Sequence, residues 1–175
     1  MPTIVVLSGN PRPSSTTSAV ARSLAEAIAR SAPSADIDTL ELSDLGSRVL
    51  DPAASDVAAA RDRVAAADLV IVGSPVYKGS YTGLLKAFID GYGPRSLAGV
   101  AAVPLIVAGS PAHAGIAAHI HLRPLLHEVG AETPLGVFAV LDGDVAAVDD
   151  RARLVGEWAA QRAPLTAALL AGGAR

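Results

Sequence analysis

Hydrophobic and polar residues follow two alternating periodicities along the chain. Residues 3–7 and 69–73 are short apolar runs rich in β-branched residues, and each ends in a turn sequence, so both predict buried parallel strands. Residues 103–108 predict a further strand of the same kind. Residues 36–42 alternate polar and apolar positions, which predicts a strand nearer the sheet edge, and residues 133–140 are the fifth candidate.

Between these strands, apolar residues recur at helical spacing. They predict helices around residues 20–28, 57–67, 84–89, 112–128 and 148–171, the last kinked or broken near Pro164. Five strands alternating with five helices predict a single α/β domain over residues 1–175 with a doubly wound parallel sheet, because parallel neighbours need crossover helices. The strand count favours the order 2-1-3-4-5, which places a ligand crevice at the carboxyl ends of strands one and three.

Composition and charge narrow the classes of function. A net charge of -3 and a pI near 5.7 indicate neither nucleic-acid binding nor the acidic docking face of an electron carrier. The chain has no cysteine, which excludes disulfides, thiolate metal sites and cysteine nucleophiles. Its start lacks a signal-peptide pattern and no apolar run has membrane-spanning length, so we expect a cytoplasmic protein that contacts no membrane. Small molecules are the expected partners.

The segment between strand one and helix one, residues 8–17, is called loop one here. It combines Arg12 with five hydroxyl residues, Ser8, Ser14, Ser15, Thr16 and Thr17. A helix N-terminus offers outward amides and partial positive charge, hydroxyls add neutral donors, and arginine clamps oxygens, so the segment predicts a site for a terminal monophosphate. It has neither the Walker nor the three-glycine dinucleotide spacing. The alternative is that the hydroxyls only cap the helix.

Two further loops follow strands three and four. Loop three, residues 74–81, holds Pro75, Tyr77, Gly79 and Tyr81, and its exposed amides could bind the polar edge of a flat heterocycle. Loop four, residues 108–113, follows strand four and converges on the same crevice. For loop three, the alternative is that the tyrosines only pack over the third predicted helix, residues 84–89. For loop four, the alternative is a plain turn with an N-cap. After strand five, a solvated turn and helix start are expected to contain Asp142, Asp144, Asp149 and Asp150.

Three sets of motifs together match a known family. They are Gly9-Asn10-Pro11-Arg12 with the hydroxyls that follow, Ser74-Pro75-Val76-Tyr77-Lys78 continuing into Tyr81-Thr82-Gly83-Leu84-Leu85-Lys86, and Ala108-Gly109-Ser110 with His113 and Leu122-Arg123-Pro124-Leu125-Leu126. Over most of its length the chain resembles the flavodoxin-like NAD(P)H-dependent FMN reductases, particularly the alkanesulfonate-type flavin reductases. The resemblance implies a three-layer flavodoxin-like fold that binds FMN and takes hydride from NADPH or NADH.

The resemblance also implies roles for particular residues. FMN phosphate would be bound by Ser8, Arg12, Ser15, Thr16 and Thr17. The isoalloxazine ring would be lined by Pro75, Val76, Tyr77, Lys78, Tyr81, Gly109, Ser110 and His113. Members of the family are commonly tetramers, so a homo-oligomer, dimer or tetramer, is expected. No catalytic side-chain acid or base is expected, because the flavin supplies the reactivity.

The fourth predicted helix, residues 112–128, departs from the family pattern. Where the alkanesulfonate enzymes carry a tyrosine in an irregular turn, this chain has Ala118-His119-Ile120-His121, which leaves open whether flavin exchanges as a substrate or stays bound. With His113 and His127 nearby, a metal site is conceivable. It is not expected, because side chains at i and i+2 do not share a helix face. Helix packing or subunit contact is the expected role of these histidines.

Three functions are compatible with this pattern. The first is hydride transfer from nicotinamide to FMN, which supplies reduced flavin to a monooxygenase. The second keeps the fold but passes electrons to quinones or azo compounds. The third is a non-enzymatic flavodoxin-like electron carrier, against which the near-neutral charge and the 3% aromatic content argue.

Overall fold

The computed structural model describes residues 1–172 of the 175-residue chain. Its strands are β1 (Thr3–Ser8), β2 (Asp36–Glu41), β3 (Leu69–Pro75), β4 (Ala101–Ala108) and β5 (Phe138–Leu141). Its helices are α1 (Thr16–Ala29), α2 (Leu42–Leu45), α3 (Ser55–Ala65), α4 (Gly83–Ile89), α5 (Pro111–Gly115), α6 (Arg123–Glu128), α7 (Val148–Ala160) and α8 (Ala163–Ala171). A π-helical segment, Ile116–Leu122, joins α5 to α6, and 3₁₀ turns cover Gly46–Leu50 and Gly143–Val145.

The five strands form one parallel sheet in the order β2-β1-β3-β4-β5, which confirms the predicted fold class and strand order. Ser8, the last residue of β1, pairs with Glu41 of β2 on one side and with Gly73 of β3 on the other. Strands β1, β3 and β4 are buried almost throughout. Their unbroken apolar runs follow from this burial, because helices cover both faces of a parallel sheet.

Alternate residues of each strand pack into two separate apolar clusters. Ile4 and Val6 belong to the cluster on the face covered by α1 and α7, together with Leu24 of α1. Val5 and Leu7 point the other way, into the cluster that contains Phe88 and the residues of α3 and α4. Helices on both faces of the sheet therefore make three layers.

Three strands are longer than predicted, since β1 ends at Ser8, β3 ends at Pro75 and β4 begins at Ala101. The other two predictions include residues outside the observed strands. Strand β2 ends at Glu41, and Leu42 already begins α2, so the prediction of a strand to residue 42 was one residue too long. The fifth strand begins at Phe138 rather than at residue 133. Before it, the amide of Gly136 donates to the carbonyl of Thr133, and Pro134 has no amide to give to a strand ladder.

The fourth predicted helix, over residues 112–128, is not one continuous α-helix. It is divided into α5, the π-helical segment and α6. Pro124 lacks an amide hydrogen, so the regular helical bonding pattern cannot continue unchanged through this region. The closing helix breaks between Ala160 and Ala163, which confirms the interruption predicted near Pro164. Among residues 1–172, no helix is both long enough and apolar enough to cross a membrane.

Candidate functional site

Loop one is built by hydrogen bonds within its own sequence. The Asn10 side-chain oxygen accepts the amide of Arg12 at 2.9 Å, and its nitrogen donates to the Thr17 hydroxyl at 3.3 Å. Ser14 adopts a left-handed conformation with φ of 51°. Ser15 then caps α1, because its hydroxyl accepts the amide of Ser18 at 3.2 Å. The capping role left open by the sequence is therefore real for Ser15.

A cavity of about 540 Å³ lies beside this loop, at the carboxyl ends of β1, β3 and β4. It is lined by Asn10, Arg12, Pro13, Ser14, Ser15, Thr16, Thr17, Pro75, Val76, Val107, Ala108, Gly109 and Asp142. The volume falls within the range of about 300–1,000 Å³ that small-molecule sites occupy. Loops one, three and four thus converge on one cavity, as the positions of the strand ends predicted.

The residues predicted for ligand contact divide into two groups. Seven of them line the cavity, namely Arg12, Ser15, Thr16, Thr17, Pro75, Val76 and Gly109. The others lie outside its lining, namely Ser8, Tyr77, Lys78, Tyr81, Ser110 and His113. Ser8 is fully buried, whereas Tyr77 is 40% exposed on the rim. Ser110 caps α5, because its hydroxyl accepts the amide of His113 at 3.4 Å.

Loop three forms a tight turn. The amide of Tyr77 donates to the carbonyl of Ser80 at 2.8 Å, and the amide of Ser80 donates back at 3.2 Å. Lys78 and Gly79 have φ values of 53° and 83°, the positive pair of a type I′ turn. The amide of Val76 donates to Val107 of β4 at 3.1 Å. The amides of Val76 and Tyr77 therefore donate within the protein and are not free to bind a heterocycle, contrary to the expectation of exposed amides in loop three.

Buried hydrogen bonds hold loops one and three together beneath the cavity. The amide of Gly9 donates to the carbonyl of Gly73 at 2.7 Å, and the hydroxyl of Thr82 donates to the carbonyl of Gly9 at 2.5 Å. The amide of Thr82 in turn donates to the Ser74 hydroxyl at 3.0 Å. A Cβ at Gly9 would lie 2.8 Å from Leu85 Cβ, so only glycine fits there without movement. The relative position of the two loops is fixed by these contacts.

Electrostatically, the cavity suits an anion at one end. Arg12 is the cation of the lining, and α1, a helix of 14 residues, carries no acidic residue in its first turn. Asp142 supplies the one carboxylate of the lining, and its amide donates to Ala108 at 2.9 Å. Asp142 lies in an exposed turn, as expected, but its place in the cavity lining was not predicted. Its position directly after β5 is the signal that would have found it, since ligands bind at the carboxyl ends of strands.

The four histidines of the chain are not clustered into a metal site. Within residues 1–172, no group of three or more histidine and acidic residues is placed to hold a metal ion. His127 shares a hydrogen bond of 3.0 Å with the Thr133 hydroxyl. His121 Nδ1, in the π-helical segment, is buried and has no hydrogen-bond partner among the described residues. His113 and His119 are exposed.

Comparison with known proteins decides the family. A family model described as NADPH-dependent FMN reductase matches residues 2–145. The chain belongs to this family. The FMN reductase fold, enzyme class and cofactors predicted from the motifs are thereby confirmed: the protein is an oxidoreductase that uses FMN and a reduced pyridine nucleotide.

Individual relatives support the same conclusion. The NADH-dependent FMN reductase SfnF of Pseudomonas putida is 35% identical over 145 residues, which cover 79% of this chain and 77% of SfnF. The FMN reductase (NADPH) of Pseudomonas aeruginosa is 32% identical over 142 residues, covering 78% and 75% of the two chains. The apo structure of the NADH:FMN oxidoreductase EMOB has a TM-score of 0.81 at 36% identity, covering 94% of this chain and 90% of EMOB.

A Bacillus anthracis azoreductase is a more distant neighbour of this FMN reductase. Its TM-score is 0.61 at 16% identity, with 96% of this chain and all of that chain covered. At this identity the likeness shows a shared fold alone.

Proposed function

We propose that this FMN reductase binds the FMN phosphate on loop one and the isoalloxazine ring between loops three and four. The main support for this proposal is one cavity, which is lined on one side by Arg12, the hydroxyl residues 14–17 and the start of α1, and on the other by the ends of β3 and β4. These groups fit the cofactor, because hydroxyls, an arginine and a helix N-terminus together suit a phosphate dianion. Ser15, Thr16 and Thr17 are the proposed neutral donors.

The remaining predicted residues take proposed places around this cavity. Pro75, Val76 and Gly109 lie in its wall, and Tyr77, Lys78 and Tyr81 lie on the turn beside it. Ser110 and His113 stand at the start of α5. Ser8 is proposed to act from beneath loop one, since its side chain is fully buried.

When bound, FMN supplies the ring that accepts the hydride of NADH or NADPH. The residues of this chain contribute position and charge. Arg12 and the first turn of α1 hold the phosphate. The bond from the Thr82 hydroxyl to the Gly9 carbonyl and the bond from the Gly9 amide to the Gly73 carbonyl keep the two ends of the cavity at a fixed separation. No side-chain acid or base is required, because a hydride transfer moves no proton through the protein.

The reduced flavin is proposed to leave for a flavin-dependent monooxygenase. The resemblance of loops one, three and four to the alkanesulfonate-type reductases supports this acceptor. NADH and NADPH are both proposed as donors, because one relative named above is NADH-dependent and another is an FMN reductase (NADPH).

The proposed form of the protein is a cytoplasmic homo-oligomer, dimer or tetramer, built from a single domain over residues 1–175. One sheet that contains all five strands supports the single domain. Ile116 and Ile120 support self-association, because these isoleucines of the π-helical segment are 45% and 65% exposed. Light scattering coupled to size-exclusion chromatography measures the oligomer.

A visible spectrum tests the proposed function directly. Purified protein is titrated with FMN and then, without oxygen, with NADH or NADPH. We expect a change of the flavin spectrum on binding, bleaching on addition of a donor, and steady-state donor oxidation that rises with free FMN. Absence of flavin binding and of donor oxidation would refute the proposal. Faster turnover with a quinone than with free FMN would instead favour the quinone reductase alternative.

A further inference from the structure

Buried polar atoms accumulate at the carboxyl ends of β1 and β2. Among the described residues, three of the buried side-chain oxygens without a hydrogen-bond partner lie here: Ser8 Oγ, Glu41 Oε2 and Ser43 Oγ. Ser8 and Glu41 are paired directly across the two strands. Both continue the strand face that α1 covers, because side chains alternate along a strand. The side chains of Ser8 and Glu41 therefore lie on the same face of the sheet, under α1.

Glu41 is also tied to α1. Its other carboxylate oxygen, Oε1, accepts a hydrogen bond from the hydroxyl of Ser18, and Arg22 Nη2 lies 3.5 Å from the same oxygen. The Glu41 side chain is only 12% exposed, whereas that of Arg22 is 50% exposed. Ser18 is fully buried. The bond from Ser18 is thus the protected contact, and the ion pair with Arg22 is largely screened by solvent.

This contact reaches loop one through one further step. Ser18 donates its amide to the hydroxyl of Ser15, the N-cap of α1 and part of the cavity lining. Glu41, Ser18 and Ser15 therefore form a continuous chain from the end of β2 to the cavity. A charge-assisted hydrogen bond to Ser18 fixes the rotation and height of the first turn of α1. Small displacements of the loop-one donors lower the affinity for the ligand, because these donors must lie at hydrogen-bond distance from the phosphate.

We infer that Glu41 is a positioning residue for phosphate binding: through Ser18 it holds the first turn of α1 so that loop one presents its donors to the FMN phosphate. This inference rests on the proposed place of the FMN phosphate on loop one. Glu41 itself does not line the cavity. Its effect is specific to the phosphate end of the cofactor, because loops three and four make no hydrogen bond to Glu41 among those of the described residues.

Comparison of FMN with riboflavin, which lacks the phosphate, tests the inference. Affinities of both flavins are measured for the wild-type protein, Glu41→Gln and Ser18→Ala. We expect each substitution to weaken FMN binding about fivefold, less than the loss of a direct charge-assisted hydrogen bond because Glu41 acts on the phosphate only through Ser18, and to leave riboflavin affinity unchanged. The double variant should lose no more than Ser18→Ala alone, because Glu41→Gln removes the charge from the same link that Ser18→Ala breaks.

Asp38→Asn is the matched control, since Asp38 is an acidic residue of the same strand and pairs with Arg63 at 2.5 Å on the surface. It should change neither affinity. Equal losses for FMN and riboflavin in Glu41→Gln, or no loss for FMN, would overturn the inference. If wild-type protein binds FMN no more tightly than riboflavin, the proposed place of the phosphate is wrong, and that result is distinguishable from a failure of Glu41 alone.

Discussion

Arg12 Nη2 lies 3.4 Å from the hydroxyl oxygen of Tyr77, so loop one and loop three touch at the mouth of the cavity. The contact is long and exposed, and its contribution to stability is at most about 1 kcal/mol. The contact matters because it fixes where the Arg12 side chain lies. It places the guanidinium of Arg12 beside the tight turn of loop three, at the edge of the proposed phosphate site.

Replacement of Arg12 by alanine is expected to weaken FMN binding about 10- to 100-fold, because a hydrogen bond to a charged group contributes about 1.5–3 kcal/mol. Tyr77→Phe removes only the contact with Arg12 and should change FMN affinity less than about threefold. Quenching of flavin fluorescence on titration measures both. Equal FMN affinity of Arg12→Ala and the wild-type protein would show that Arg12 does not hold the phosphate.

Loop one illustrates what the sequence could and could not predict about the site. Its hydroxyl cluster follows a buried strand and precedes a helix, so local pattern alone places Arg12, Ser15 and Thr17 at the crevice. Asp142 joins the same lining from the end of β5, and its place there follows from the strand order of the sheet rather than from the residues of loop one. Ser8 reads as one more hydroxyl of the cluster, but its register opposite Glu41 buries it.

The same distinction holds for the fold. Strands β1, β3 and β4 were predictable because burial on both faces leaves continuous apolar runs. The hydrophobic pattern could not predict the π-helical segment, because Ala117, Ala118 and Leu122 are buried in a spacing that an ordinary helix also allows. Only the family resemblance indicated an irregular turn there. A change from one helical hydrogen-bond pattern to another alters backbone partners, which the hydrophobic pattern does not record.

Gly9→Ala is expected to lower the free energy of unfolding by about 1–3 kcal/mol, the usual cost of overpacking a buried position. The added Cβ would stand 2.8 Å from Leu85 Cβ and 3.1 Å from the carbonyl oxygen of Gly73. Urea unfolding followed by circular dichroism measures the change. Gly83→Ala is the matched control, because nothing lies within 4 Å of a Cβ there. A Gly9→Ala variant as stable as Gly83→Ala would contradict the close approach.

Thr82→Val tests the bond that joins loop three to loop one. Valine keeps the shape of threonine but cannot donate to the carbonyl of Gly9 or accept the amide of Leu85 at the start of α4. The expected loss is about 2–4 kcal/mol, from an unpaired buried carbonyl and a lost N-cap. Thr82→Ser keeps both bonds and should lose less than about 1 kcal/mol. Similar unfolding midpoints for the two variants would disprove the role of the hydroxyl.

Tyr92→Phe is expected to change how stability depends on pH. Burial raises the pKa of the Tyr92 phenol, an effect opposed by the positive charge of Arg61, and the phenol donates to the carbonyl of Arg61 at 3.0 Å. Because the pKa is higher in the folded state, the contribution of the neutral phenol is complete below the unfolded pKa of about 10 and is lost as pH rises above it. Phenylalanine has no proton to lose, and its ring can keep the edge-on contact with Phe88.

The wild-type protein should therefore exceed Tyr92→Phe in unfolding free energy by about 1 kcal/mol near neutral pH, the contribution of one hydrogen bond. The difference should shrink as pH rises through about 10 and beyond, because the unfolded phenol ionises while the folded one resists ionisation. Urea unfolding in a series of buffers on both sides of that value measures it. Parallel stability curves for the two proteins across the whole series would mean that the phenol ionises equally in the folded and unfolded states, contrary to its burial against Phe88 and Arg61.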